Sequence, residues 1–507
     1  MSQKTTQPKN QILYGPPGTG KTYATRKLAV EICDGNASVD RNEVKKRYDE
    51  LYELGRIRFV TFHQSFSYED FVEGIRPLMS DSESGNLRYA VEDGIFKRIC
   101  TAASRSGREF SQLRYDKDLK DRKYFKMSNG GRQDPDVDEY CLENDIIALG
   151  WGGDIDYSKY DTISSQKQKG LEEIRKIWAD HGYDPESKYE IEAVWYFKDY
   201  MQEGDIVIVG DGLPRIKAIG EVIGPYEYSD NPELGHYHHI RRVNWLHTDL
   251  DLDAHNLVGK QLARRTIYSF DYGRINFDLL ERLIRIAGNV DANTPYVLII
   301  DEINRANISK VFGELITLIE DDKRLGAEEE IKVRLPYSRE DFGVPSNLYI
   351  IGTMNTADRS IAMLDTALRR RFTFREIMPD PSLLSDNVGG INLRAMLAGM
   401  NHRIEILYDR DHTIGHAYLM GVKSLDDLAD RFENKIIPLL QEYFFDDWER
   451  ILKVLADEQK PEDLQFVHKI EKDGVRYELN PGVFRKPQAY IGIYASLEAE
   501  QKAGDEE

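Results

Sequence analysis

Cysteine is scarce in this chain of 507 residues. Cys33, Cys100 and Cys141 are odd in number and show no metal-ligand spacing. That argues against a disulfide scaffold or a zinc module and suits a reducing, cytoplasmic setting. Long apolar runs are missing as well. The stretch Tyr296–Ile300 has strand length, far short of the ~20 residues a helix needs to cross a bilayer, so no membrane partner is expected. Met1–Asn10 is short and polar, with no signal-peptide pattern. Positive charge is in deficit. A formal net charge of -20 excludes a protein that coats nucleic acid by bulk attraction, and confines any DNA contact to a local groove or a pore.

What is present can build real cores: 41% of residues are hydrophobic and 31% charged. The length calls for two or three domains. The pattern is α/β, a nucleotide-type unit interrupted by an inserted α+β domain. Residues 11–104 open with a strand, a Gly-rich loop and a helix. Residues 105–275 differ in character. Residues 276–378 return to strand and helix alternation, 379–456 read as helical, and 457–507 as a short polar, strand-bearing end. The insert holds Trp151, Trp178, Trp195 and Trp245, four of the five tryptophans. It carries strand-like runs at Asp205–Val209 and Ile216–Val222, and Ala193–Phe197 reads the same way. Ser104–Arg108 and Asp271–Gly273 read as its linkers.

Gly15-Pro16-Pro17-Gly18-Thr19-Gly20-Lys21-Thr22 is a complete P-loop pattern between a strand (Gln11–Tyr14) and a helix (Tyr23–Ile32). The glycines let backbone N–H groups converge on phosphate oxygens, and the helix N-terminus adds partial positive charge. Lys21 is expected on the β- and γ-phosphates, and the Thr22 hydroxyl on Mg2+. A chance Gly-rich turn would not fill every fixed position in this context.

Tyr296–Ile300 followed by Asp301 and Glu302 reads as a buried parallel strand ending in two carboxylates, where α/β sheets bind ligands. Asp301 is expected in the magnesium shell and Glu302 on the attacking water. Alone, the pair could be an ordinary acidic turn; beside a P-loop it is not. A third strand, Leu348–Thr353, leads to Asn355, whose side chain can orient that water. Arg369, Arg370 and Arg371 then stand in a row. They fit either a solvated helix end or arginines that reach a neighbouring subunit's nucleotide.

Together with the P-loop, Phe62–Phe71 (FHQSFSYEDF), Asp301–Asn307 (DEINRAN) and Met354–Arg359 (MNTADR) resemble McrB-like proteins, the AAA+ subunits of modification-dependent restriction systems. Ile414–Tyr418 and Ile437–Phe445 are similar to the lid of that group. The resemblance covers residues 11–104 and about 288–456. It implies a AAA+ module with a helical lid, a hexameric ring, Mg2+ with GTP (or ATP), a McrC-like nuclease subunit as partner, and DNA with modified bases as the target of translocation. It also implies that Asn355 and Asp358 belong to the water-positioning signature, and that Arg370 and Arg371 are the trans-acting and sensing arginines, with Arg369 as a third candidate. Better-known members carry a DNA-binding domain ahead of the P-loop, where this sequence shows ten residues before the first strand. DNA recognition is therefore expected in the insert.

Within the insert, residues 193–209, 219–228 and 239–245 resemble the EVE and YTH group of small β-barrels, which read a modified base flipped into an aromatic cage. Candidate cage residues are Trp151, Trp195, Asp154 and Ser128. Core packing competes with that role at Trp195 and outweighs it at Trp245 and Trp178. Between 105 and 275 there are 24 Lys and Arg against 32 Asp and Glu, so DNA contact must come from local clusters. Two are visible: Lys120, Arg122, Lys123 and Lys126, and His236–Arg242; either could equally be a solvated face. Two rival readings remain. A protein- or RNP-remodelling ATPase would keep the same motor with an adaptor insert. A non-catalytic nucleotide switch would have little need of Glu302.

Overall fold

Two sheets and a helical bundle organise the chain. The computed structural model describes residues 7–78, 88–104, 113–130, 134–160, 166–248, 250, 252–287, 293–357, 366–470 and 475–504.

Strands Asn10–Gly15, Ile57–Thr61, Tyr296–Asp301, Leu348–Asn355 and Thr373–Glu376 form one parallel sheet. Across the sheet they run Thr373–Glu376, Asn10–Gly15, Leu348–Asn355, Tyr296–Asp301, Ile57–Thr61. The inner strands are apolar on both faces because both are covered. Ile12, Leu298, Ile300 and Ile350 enter one core, and Leu13, Val297, Ile299 and Ile351 the other. Parallel strands bring their C-terminal ends to a single edge. Gly15 pairs in register with Asn355, and Asp301 with Thr61.

The second sheet belongs to the insert. Its order is Tyr268–Ser269, Tyr124–Met127, Ile206–Asp211, Arg215–Tyr228, His239–His247, Ile146–Leu149, with Leu252–Asp253 added beside Arg215–Ile216. Only Tyr124–Met127 and Ile206–Asp211 run parallel. Among the described residues the path is open at both ends, so its pairings do not close the expected barrel. One expectation is corrected: Ala193–Phe197 is not a strand. Helix Lys188–Trp195 passes into a π-turn at Tyr196–Tyr200. Ile191, Val194 and Trp195 are buried at i, i+3 and i+4, one helical face against the sheet.

Helix Phe277–Ala287 joins the two units. Its Leu279, Leu280 and Leu283 share one continuous core with Leu28 and Leu51 of the P-loop unit and Ile216 and Leu246 of the insert.

Residues from Leu393 onward form the lid: helices Leu393–Leu407, Leu425–Arg431, Ile437–Phe444 and Trp448–Leu455. A π-turn at Phe432–Ile436 precedes Pro438, whose missing N–H and ring would break a continuous helix. The C-terminal end carries strands, as expected of it, and adds a helix that was not expected. A hairpin, Val467–Ile470 with Arg476–Leu479, is followed by helix Pro487–Gly504. Val483, Phe484, Tyr490 and Ile493 bury themselves in the lid core. Cys33, Cys100 and Cys141 are buried free thiols. Among the described residues no helix is long and apolar enough to cross a membrane.

Candidate active site

The P-loop wraps from Gly15 to the start of helix Lys21–Asp34. Gly20 precedes that helix with φ +78°, a left-handed conformation glycine adopts without cost. The Thr19 hydroxyl donates to the Pro16 carbonyl at 3.0 Å, bracing the loop from within. The Lys21 ammonium donates to the carbonyls of Gly15 and Pro16 at 2.9 and 2.7 Å, which holds it over the loop. Thr22 is exposed at the first turn.

Facing the loop across the sheet edge is a connected polar cluster. The Thr353 hydroxyl donates to Asp301 Oδ1 at 2.6 Å and accepts from the Glu302 N–H at 3.0 Å. The Asn355 amide donates to Glu302 Oε1. Arg305 Nε approaches the other oxygen, Oε2, at 3.2 Å. Glu302 has φ +54°, an unusual backbone state for a residue with a side chain, and such strain is kept where the surroundings enforce it. The expected roles of Asp301, Glu302 and Asn355 thus fall on residues that touch or share a partner. Thr353 and Arg305 were missed; the one signal for Thr353 was a hydroxyl ending an apolar strand. Asp358 lies outside the described residues.

Thr22 and Asp301 supply oxygen donors only. Among the described residues no group of three His, Cys, Asp or Glu could hold a metal alone. Two hard oxygens fit Mg2+, which keeps waters and shares substrate phosphates rather than filling a protein cage.

The three arginines divide. Arg371 is buried, with Nη2 2.6 Å from Glu320 Oε1. Arg369 and Arg370 are exposed, and Arg370 reaches the same carboxylate only at 3.4 Å.

In the insert, Trp151 and Trp195 separate. Trp195 is 2% exposed and stacks on Tyr200 at 4.6 Å, which is the core alternative rather than a cage wall. Trp178 and Trp245 are buried too. Trp151 is half-buried on the loop after Ile146–Leu149. Its indole N–H donates to the Thr266 hydroxyl at 2.9 Å, and its ring meets Tyr189 edge-on at 6.0 Å. The loop's glycines are needed: a Cβ on Gly152 would lie 2.7 Å from His239, and one on Gly153 2.4 Å from Tyr183. Asp154 is exposed, 3.3 Å from His238, and Ser128 is half-buried.

The two basic clusters mostly turn inward. Arg122 pairs with Glu221 with both side chains fully buried, Lys126 donates to the carbonyls of Arg265 and Thr266, and Lys123 to that of Tyr200. With no counter-charge beside it among the described residues, burial pulls the Lys126 ammonium down to about 8. Arg241 is likewise buried against the carbonyls of Phe197, Lys198 and Gly224. These cations brace the fold and are not free for phosphates.

Comparison with known proteins follows this division. Residues 272–372 match an AAA domain model of the dynein-related subfamily, and residues 392–452 the alpha-helical lid domain of McrB. Residues 125–271 match a domain of unknown function, DUF8426. The chain is 42% identical over 174 residues to the Type IV methyl-directed restriction enzyme EcoKMcrB subunit of Escherichia coli K12, covering 30% of this chain and 37% of that protein. It is 35% identical over 115 residues to the Type II restriction enzyme BsuMI component YdiS of Bacillus subtilis 168, covering 20% and 32%. The chain thus spans about a third of the length of each relative. Residues 272–372 are thus similar to an AAA domain, and the helical segment that follows is similar to the lid of McrB.

Proposed function

We propose that this chain is the nucleotide-hydrolysing ring subunit of a modification-dependent restriction complex. It would hydrolyse GTP, or ATP, with a separate McrC-like nuclease cutting the DNA. The observation that carries the reading is the Asp301–Thr353–Glu302–Asn355 cluster, set at the sheet edge that holds the P-loop in an McrB-like module.

The chemistry follows from the cluster. Glu302 accepts a hydrogen bond from the attacking water, and Asn355 fixes where that carboxylate points. Water oxygen bonds to the γ-phosphorus, the bond to the β–γ bridging oxygen breaks, and phosphate and the diphosphate leave. The Lys21 ammonium, exchanged from its carbonyls, stabilises charge on the β- and γ-oxygens. Mg2+ held by Thr22 and Asp301 would neutralise the same oxygens. Asp358 belongs to the same water-positioning stretch. An exposed arginine, Arg369 or Arg370, completes the neighbouring site in a ring, taken as a hexamer.

The insert is the reader of modified DNA in this proposal, with a flipped base stacking on Trp151. Its support is the preorganisation of that residue: clamped glycines, an anchored indole N–H, and Tyr189 at its edge. Asp154 and Ser128 remain candidate polar contacts, whereas Trp195 serves the core.

The test uses the full chain with Mg2+ and either GTP or ATP. Hydrolysis is measured with and without duplexes carrying cytosine, methylcytosine, hydroxymethylcytosine, adenine or methyladenine at one position. Stimulation by one modified duplex supports the reading. Hydrolysis indifferent to every duplex but stimulated by an unfolded polypeptide or an RNA would favour the remodelling alternative.

A further inference from the structure

The stretch Ile414–Tyr418 lies in the lid, yet it is built onto the P-loop. A Cβ on Gly415 would lie 2.1 Å from the carbonyl carbon of Gly18 and 2.4 Å from the Pro17 oxygen, so the two backbones touch. The Ala417 N–H donates to the Gly18 carbonyl at 2.9 Å. The Tyr418 ring fills the space beside Gly18, 2.7 Å from where its Cβ would stand. A lid that merely covered a nucleotide would not need this backbone contact.

Between those anchors sits His416, 6% exposed. Its Nδ1 accepts the Asp380 N–H at 3.1 Å, which leaves the ring proton of the neutral form on Nε2. Nε2 makes no hydrogen bond to any described residue. It points at the P-loop, 3.5 Å from the position of a Cβ on Gly20. Burial and the nearby Arg41 guanidinium lower its pKa, and Asp380 opposes them; the ring is therefore neutral near pH 7. An N–H donor thus faces the loop that cradles phosphate, with its tautomer fixed from behind.

We infer that His416 is a nucleotide-contacting residue: its Nε2–H donates to a phosphate oxygen of the bound nucleotide and so ties lid position to nucleotide occupancy. The inference rests on the P-loop reading above and adds a lid residue to it. Asp380 acts through His416 as a positioning residue, by its backbone N–H alone.

Asparagine and glutamine separate the two ring nitrogens. His416→Asn keeps an acceptor near the Nδ1 position and loses the donor facing the loop. His416→Gln keeps a donor near the Nε2 position and loses the anchor to Asp380. Calorimetry on the full chain with Mg2+ would use GDP, ADP and the imido triphosphates of both nucleosides, alongside thermal melting. His416→Asn is expected to weaken binding by roughly 10- to 100-fold, the worth of one hydrogen bond to a charged group, with melting unchanged. His416→Gln should stay within a few-fold of wild type. If His416→Asn binds as wild type does, or if affinity follows melting temperature across both variants, His416 is a structural residue and the inference fails. If wild type binds none of the four nucleotides, the P-loop assignment itself falls.

Discussion

The Arg371 guanidinium lies 2.6 Å from the Glu320 carboxylate and is closed off from solvent, whereas the adjacent Arg370 is 68% exposed in its side chain. Two neighbours in the sequence therefore serve opposite ends. Arg371→Ala leaves a partly buried Glu320 without its main cation. The expected cost is about 3 kcal/mol, at the low end for breaking a buried pair because Glu320 keeps some solvent. Arg370→Ala should leave the melting temperature unchanged and abolish hydrolysis, if this arginine acts on a neighbour's nucleotide. Mixing Arg370→Ala with Glu302→Gln protein then restores part of the rate, because some interfaces combine an intact arginine with an intact Glu302. Mixtures as inactive as their components would remove Arg370 from that role and leave Arg369.

Glu302 and Thr353 make separate predictions about one cluster. Glu302→Gln keeps the shape and the Asn355 contact but loses the proton-accepting carboxylate. Nucleotide binding should persist while turnover falls by roughly 10²–10⁴-fold. Thr353→Val removes the hydroxyl that braces Asp301 and receives the Glu302 N–H. It should raise the Mg2+ concentration needed for half-maximal rate as well as lower the rate itself. Titrating Mg2+ in both variants distinguishes them, since Glu302→Gln has no reason to shift that midpoint. Wild-type turnover in Glu302→Gln would remove Glu302 from the water-activating role.

Features written in contiguous residues were legible: the P-loop, the apolar strand ending in Asp301 and Glu302, and the strand leading to Asn355. Each is a local backbone pattern, and parallel pairing then brings them to one edge. Features decided by distant partners were not. Arg122 reads as part of a basic cluster until Glu221, 99 residues on, is folded against it. Ala193–Phe197 is a short apolar run, which composition alone cannot divide between strand and helix. The burial of Ile191, Val194 and Trp195 on one side is what settles it. His416 sat in a stretch recognised only by its resemblance, and its direction depends on Asp380 and Gly20, far away in the sequence.

The two tryptophans of the insert give a paired test of reader against core. Trp195→Ala opens a cavity under Tyr200 and should cost about 3–5 kcal/mol in urea unfolding. Trp151→Ala removes a half-buried ring held by Thr266 and should cost much less. Duplex binding by the full chain should respond in the reverse sense. Trp151→Ala is expected to lose about 1–3 kcal/mol for the modified duplex, the worth of one stacked base, and with it the preference over the unmodified one. Binding that survives Trp151→Ala intact would take the reader role away from Trp151.

Acid provides an independent handle on the same loop through His239. Its Nδ1 faces the Tyr226 hydroxyl at 2.8 Å and its Nε2 the Gly153 carbonyl at 3.1 Å, so the neutral ring clamps the glycines around Trp151. Burial lowers its pKa from 6.5 to about 4. The folded state therefore refuses a proton that the unfolded chain accepts. Above pH 6.5 neither state is protonated and the residue is indifferent to pH. Between pH 6.5 and 4 the unfolded chain holds more protons, so stability falls as the pH falls, by at most about 3 kcal/mol. Other groups titrate in this window, but they are common to wild type and His239→Gln, so the difference between their stability curves isolates His239. His239→Gln should be less stable at pH 7, yet lose less on acidification, with the two curves converging toward pH 4. Parallel curves would mean that the clamp tolerates a protonated ring, and the link between His239 and the Trp151 loop would have to be given up.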